Sequence, residues 1–306
     1  MLSNENVIRV ATQQETNECV PHRNTRRVKE GLIYTGIYAC AVFCVLLLLG
    51  IIGYVFKRGL PQVSVGFLTS VTSVLKGTVG IAGNLVNTIY IVLVTMLIAT
   101  PVGVGAAIYL NEYAKPGKLV SLIEFATETL SGIPSIIFGL FGMMFFGQTL
   151  GFGYSLLTGA LTLILMVLPL ITRNTQEALK TVPEGYRNGA IGLGAGKWHA
   201  IRTIILPSAM PGIITGMILS IGRIVGESAA LLFTAGSAKL LPQGISGLFQ
   251  KLFQSGGTLT IQLYLSATSE GDFDTAFGIA AVLLIVVFLI NLATKALIRK
   301  TTAQVK

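Results

Sequence analysis

Long apolar runs alternate with short polar segments along the whole chain, and the lengths of the runs are the first guide to its structure. Residues 31–56 carry no charge and have the length of a bilayer-spanning helix, about twenty residues or somewhat more. The same pattern predicts further spans over 84–110, 119–146, 155–172, 208–235 and 273–297. In the second, Pro101, Gly103 and Gly105 predict a bent or loosened helix that packs closely on a neighbour. In the third, Pro134 sits within Ser131-Gly132-Ile133-Pro134-Ser135 and predicts a kink or break in mid-membrane. Such a break is tolerated only where protein or water satisfies the freed carbonyl. The fourth run ends at Pro169 and Arg173. Residues 57–83 and 236–272 read as external connections, the first with a short interfacial helix near Val63 to Leu75, and 147–154 as a tight glycine-rich turn. The expected fold class is all-α integral membrane, about six transmembrane helices. A polar tail (1–30) precedes a membrane domain (31–298), and 299–306 form a second tail.

Composition agrees. Of 306 residues, 52% are apolar and 11% charged, against roughly 25% charged in a soluble domain, and the mean hydropathy is +0.75. The net charge of +9 does not indicate nucleic acid, because the basic residues are scattered among loops. Sixteen Lys and Arg fall on one side of the predicted topology and five on the other. The positive-inside rule then puts both termini in the cytoplasm. The first thirty residues are too long and too polar for the start of a signal peptide, so the first span is expected to be retained. Cys19, Cys40 and Cys44, with His22 and His199 far apart, make no disulfide framework or metal pattern.

Between the fourth and fifth runs lies a polar, basic segment, Glu184 to Gly212. Gly194 predicts a turn with positive φ between two short helices, and Pro207 the end of the second before the membrane resumes. The fifth run contains Arg223 and Glu227, four apart and so neighbours on one helix face. Ionised groups at membrane depth cost at least a few kcal/mol each unless paired or facing water, and they mark a pathway or a structural ion pair. A guanidinium fork suits a tetrahedral oxyanion, and Glu227 would partner it. Gly222 and Gly226 frame the pair at a spacing that admits a second helix. Arg173 is a weaker pathway candidate, equally readable as a positive-inside anchor. Glu124 and Glu128 read as solvated or paired to arginines near the inner face, since carboxylates repel an anion. Gly192 to Lys197 fails as a P-loop, which needs Gly in place of Ile191 and Ser or Thr in place of Trp198. Neither histidine lies in a span, which argues against an intramembrane hydrolase. A secondary transporter or channel is the alternative.

Asn188-Gly189-Ala190, Gly194, Ile204 and Leu206-Pro207 follow the spacing of the coupling loop of bacterial ABC importer permeases. With Gly222-Arg223-Ile224-Val225-Gly226-Glu227-Ser228-Ala229 and Gly132-Ile133-Pro134-Ser135, the chain from about residue 31 resembles the PstA-type permeases of phosphate ABC importers. The family's Glu-Ala-Ala is changed: Asn188 stands for the glutamate and Gly189 for the first alanine, while Glu184 offers a charge nearby. The resemblance implies a type I ABC importer permease fold and a coupling loop over 184–207 that docks on an ATPase. It also implies alternating access at a bacterial cytoplasmic (inner) membrane, with Arg223 and Glu227 on the phosphate path. The implied partners are a PstC-type sister permease, two PstB-type ATPase subunits and an extracytoplasmic PstS-type phosphate-binding protein. No cofactor is expected on this chain; ATP and Mg belong to the partner ATPase. Sulfate, molybdate or phosphonate are the rival substrates.

Overall fold

The computed structural model describes residues 23–73, 78–239 and 244–303. Most of residues 1–30, Cys19 and His22 included, lie outside them. The chain divides into two units, the first ending at Val55 and the second beginning at Phe56.

The described part of the first unit is helical throughout, part of the helix α1 (Arg23–Gly59), and is exposed throughout residues 31–51. It begins before the apolar run because nothing in 23–30 breaks a helix. Cys40 and Cys44 are free and exposed on it.

In the second unit a one-turn helix, α2 (Val65–Thr69), is followed by a two-stranded antiparallel ribbon, β1 (Val71–Ser73) and β2 (Thr78–Ile81), with Val71 opposite Ile81. Of the interfacial helix expected over 63–75, only Val65–Thr69 is helical among the described residues, and Val71–Ser73 is strand instead. Helix α3 (Ala82–Ile108) passes through Pro101 without a break and runs into a π-helical turn, Tyr109–Tyr113. The third apolar run is two helices, α4 (Lys118–Ser131) and α5 (Ser135–Gly142, continued by a π-helical stretch to Thr149), bent by 103° at the Gly132–Pro134 break. Helix α6 spans Leu156–Lys180. Pro169, read from sequence as marking the end of the span, lies inside it. Packing on both sides holds the helix through the proline, and 173–180 is a polar, helix-forming continuation.

The remaining elements are α7 (Glu184–Gly192), α8 (Lys197–Ala200) with a π-helical turn (Ile201–Ile205), α9 (Leu206–Gly226), α10 (Ala229–Thr234), α11 (Gly244–Lys251), α12 (Leu259–Thr268) and α13 (Phe273–Ala303). Two expectations change here. Pro207 does not end a short helix: it sits in the first turn of α9, and residues 197–226 form one helical stretch. The wider π turn just before it accommodates the hydrogen bond a proline cannot make. The fifth run is also not one helix, because it breaks at Glu227–Ser228. Among the described residues, five helices are long and apolar enough to cross a membrane, or six if the bent α4–α5 pair is one span.

The core is built around α6, whose face from Leu156 to Ile171 meets Ile91 and Ala99 of α3, Phe138 of α5, Ile224 of α9 and Leu231 of α10. A second cluster at the other end of α6 joins Leu179 and Val182 to Ala107, Ile201, Ile205 and Ile213. The segment expected to be a plain external connection contributes α12 to the interior. Its start is held by the polar first turns of α3: Asn84 Nδ2 donates to the Thr258 carbonyl (3.2 Å), Asn87 Nδ2 to that of Gly257 (3.0 Å), and the Leu259 amide to Thr88 Oγ1 (2.9 Å). Buried groups of this kind hold position strongly, since leaving one unmade costs about 1–3 kcal/mol.

Candidate functional site: an exposed helical turn and two broken helices

Helix α7 buries only Ala190. Glu184, Asn188 and Gly189 are exposed, so the first part of the loop signature faces outward. Gly194 adopts φ +85°, the left-handed region that glycine enters without steric cost. The chain reverses there, with the Gly194 amide donating to the Ile191 carbonyl (2.9 Å) and that of Ala195 to Ala190 (3.0 Å). Tyr186, Ile191, Leu193 and Trp198 stand out around the turn, Leu193 with 91% of its surface exposed. Ile204, Leu206 and Pro207 are half-buried at its base, where Leu206 packs on the cluster around Leu179. The signature residues thus fall in two groups: an exposed tip and a packed root.

The sequence reading missed what anchors the tip. Arg187 Nη2 and Nε donate to Glu112 Oε1 (3.0 and 3.3 Å), Nη1 to the Val182 carbonyl (2.9 Å) and Nη2 also to that of Leu179 (2.8 Å). The one available signal was that Glu112 is the sole carboxylate between residues 111 and 118.

Arg223 and Glu227 are not brought together. The helix ends at Gly226, and Glu227 is extended (φ −78°, ψ 123°), which takes it off the face it would share with Arg223. Its Oε1 accepts from the Ala230 amide (3.1 Å), and its carbonyl accepts from Thr260 Oγ1 (2.9 Å). Glu227 is buried at 9% exposure and caps α10, whereas Arg223 is exposed and has no ion pair among the described residues. This corrects the expected pairing.

The two helix breaks are adjacent. A Cβ on Gly139 of α5 would come within 2.8 Å of Ala230 Cα, so α5 and α10 approach at backbone contact. An apolar cavity of about 190 Å³ opens beside them, lined by Ile136, Ser228, Ala229, Leu232, Ile261 and Tyr264 among others.

Arg173 lies elsewhere. Its Nη1 is 3.6 Å from Glu128 Oε1, and both are well exposed in an open cleft of about 220 Å³ with Glu124, Glu177 and Lys180. A Cβ on Gly216 would lie 2.6 Å from Asn174 Cβ, which sets the register of α9 on α6. Arg223, seven residues further, is about 10 Å along the axis from that level. The two arginines therefore mark different depths.

Helices long enough to cross a membrane, two of the apolar runs broken, and an exposed turn at Gly194 between α7 and α8 define a polytopic membrane protein. Residues 99–303 match the family described as binding-protein-dependent transport system inner membrane component. The chain belongs to that family. It is 37% identical over 272 residues to the probable ABC transporter permease protein YqgI of Bacillus subtilis, covering 85% of this chain and 92% of the relative. It is 33% identical over 276 residues to the phosphate transport system permease protein PstA 1 of Mycobacterium tuberculosis (strain H37Rv), covering 88% and 87%. Among solved structures, a bacterial alginate ABC transporter in complex with an alginate-bound periplasmic protein shares the fold, with TM-score 0.66 at 12% identity, covering 92% of this chain and 99% of that one. The methionine ABC transporter MetNI in an inward-facing form matches with TM-score 0.53 at 24% identity, covering 72% and 94%. The type I permease fold expected from the sequence is the fold observed.

Proposed function

We propose that this chain is the membrane subunit that carries inorganic phosphate across a bacterial cytoplasmic membrane in an ATP-driven importer, without hydrolysing ATP itself. The observation that carries the reading is the tip at Gly194, where positive φ and outward-facing Ile191, Leu193 and Trp198 form an apolar knob of the kind that fits a groove on another protein. The names of the PstA relatives support phosphate. A PstC-type sister permease, two PstB-type ATPase subunits holding ATP and Mg, and an extracytoplasmic PstS-type binding protein complete the machine. Both termini and the Gly194 tip lie on the cytoplasmic side.

In this mechanism the ATPase pair closes and opens on the knob, and the spans swing between outward- and inward-facing states. Arg223 meets the anion with its charged fork, transiently, since too tight a grip would stall transport. Glu227 acts by fixing the break between α9 and α10 rather than by competing for Arg223. Arg173 at its different depth, already engaged with Glu128, would meet the anion after Arg223 on the way in.

The test is radiolabelled phosphate uptake into liposomes holding the complete complex, with and without ATP and with sulfate as competitor. Uptake that needs ATP and ignores sulfate supports the reading. Uptake without ATP would make the chain part of a secondary transporter or channel, and competition by sulfate would widen the substrate to oxyanions in general.

A further inference from the structure

Glu112 Oε1 collects three donors, from Arg187 Nη2 (3.0 Å), Arg187 Nε (3.3 Å) and Asn111 Nδ2 (2.8 Å). The pair is largely withdrawn from solvent, with 7% of the Glu112 side chain and 21% of that of Arg187 exposed. Glu112 belongs to the π-helical turn Tyr109–Tyr113 that ends α3, and Arg187 to α7, 75 residues later. The same guanidinium also holds the Leu179 carbonyl in the last turns of α6 and the Val182 carbonyl just after it. On the far side of Gly194, Lys197 Nζ stands 5.0 Å over the ring of Tyr113, which belongs to the same π turn.

We infer that Arg187 is the positioning residue through which movement of the exposed tip reaches the membrane helices, with Glu112 as its fixed point on α3. One planar fork joins α7 to the inner ends of both α3 and α6, so the tip drags the two helices together instead of pivoting on the short 181–183 connection. A lysine at the same place would present a point charge, which cannot serve three acceptors in a fixed geometry. The neighbouring π turn supplies the geometry, because its wider coil turns Glu112 and Tyr113 toward the two halves of the coupling segment. The inference rests on the docking role proposed above for Gly194.

The experiment uses the complete reconstituted complex and reads phosphate taken up per ATP hydrolysed, with retention of the ATPase subunits on purification as a second readout. Arg187→Ala, Glu112→Ala and the double variant are each expected to lower the uptake-to-hydrolysis ratio by about tenfold, the scale of an ordinary coupling free energy. The double variant should be no worse than Arg187→Ala, because removing the guanidinium already takes away its link to Glu112. Glu112→Gln, which keeps the acceptor and the fold, should fall between these and the parent. An unchanged ratio in the Arg187 and Glu112 variants, losses that add in the double variant, or loss of the ATPase from Arg187→Ala would each overturn the inference. Gly194→Val in the same preparation separates the two claims. A lowered ratio there with a normal one in Arg187→Ala removes the strap alone, and a normal ratio in Gly194→Val removes the docking role beneath it.

Discussion

Glu227 is the residue whose assignment changes most between sequence and structure, and a pair of substitutions decides its role. The carboxylate accepts the amide of Ala230, a residue with no exposed surface, so removing the acceptor leaves a buried N–H without a partner. That loss costs about 1–3 kcal/mol, and loss of a helix cap costs about 1 kcal/mol. These are two views of one hydrogen bond, so Glu227→Ala should destabilise the α9–α10 break by about 2 kcal/mol. Glu227→Gln retains an acceptor oxygen at the same reach and loses only the charge-assisted part, about 1 kcal/mol. In melts of the purified complex, Glu227→Ala should fall clearly below the parent and Glu227→Gln lie between them. In uptake assays Glu227→Gln should retain most of the rate and Glu227→Ala little. If both variants lose transport equally while melting like the parent, the carboxylate's charge is what matters, and the capping argument is refuted.

Gly139→Ala places a methyl 2.8 Å from Ala230 Cα, and overpacking against backbone should cost about 1–3 kcal/mol, read as a lowered melting temperature. Gly194→Val forces a β-branched residue to φ +85° and should uncouple ATP hydrolysis from uptake while leaving the complex assembled, measured as uptake per ATP. Asp272 accepts from the Thr275 hydroxyl (2.5 Å) and amide (3.0 Å), and these bonds hold its carboxyl below the usual carboxylate range. A depressed folded-state value stabilises above the unfolded pKa of about 3.9 and is lost as pH falls through the lower folded value, so the melting difference between parent and Asp272→Asn should shrink below about pH 4.

The apolar runs were legible because a bilayer demands long helices with internally satisfied backbones, and so was the break at Pro134. Helix ends were less so. Pro169 and Pro207 looked like terminators, yet packing carries α6 through the first and a π turn absorbs the second. The turn at Gly194 was visible because only its own residues build it. Glu227 was misplaced because what draws it out of the helix is remote: Thr260 lies 33 residues away. The Glu112–Arg187 link spans 75 residues and follows no periodicity, so no local pattern announces it.

With Glu227 turned away, the case for Arg223 on the anion path rests on its exposure rather than on a partner. A guanidinium within a span is costly unless it meets water, anion or another protein chain. In this chain alone Arg223 is exposed, on a helix whose opposite face carries buried Ile221, Ile224 and Val225. If the exposed face lines a water-filled path, Arg223→Cys should react with a membrane-impermeant thiol reagent in the assembled complex, once Cys19, Cys40 and Cys44 have been replaced by serine. Its reaction rate should change when ATP is added, because alternating access changes which side water enters from. Arg223→Ala should abolish uptake with the complex intact, and Arg223→Lys, keeping charge without the fork, should retain a fraction of the order of one tenth. A thiol at 223 that stays unreactive in every nucleotide state would mean the sister subunit covers this face. Arg223 would then be an assembly contact, and the path for the anion would have to be sought at the depth of Arg173.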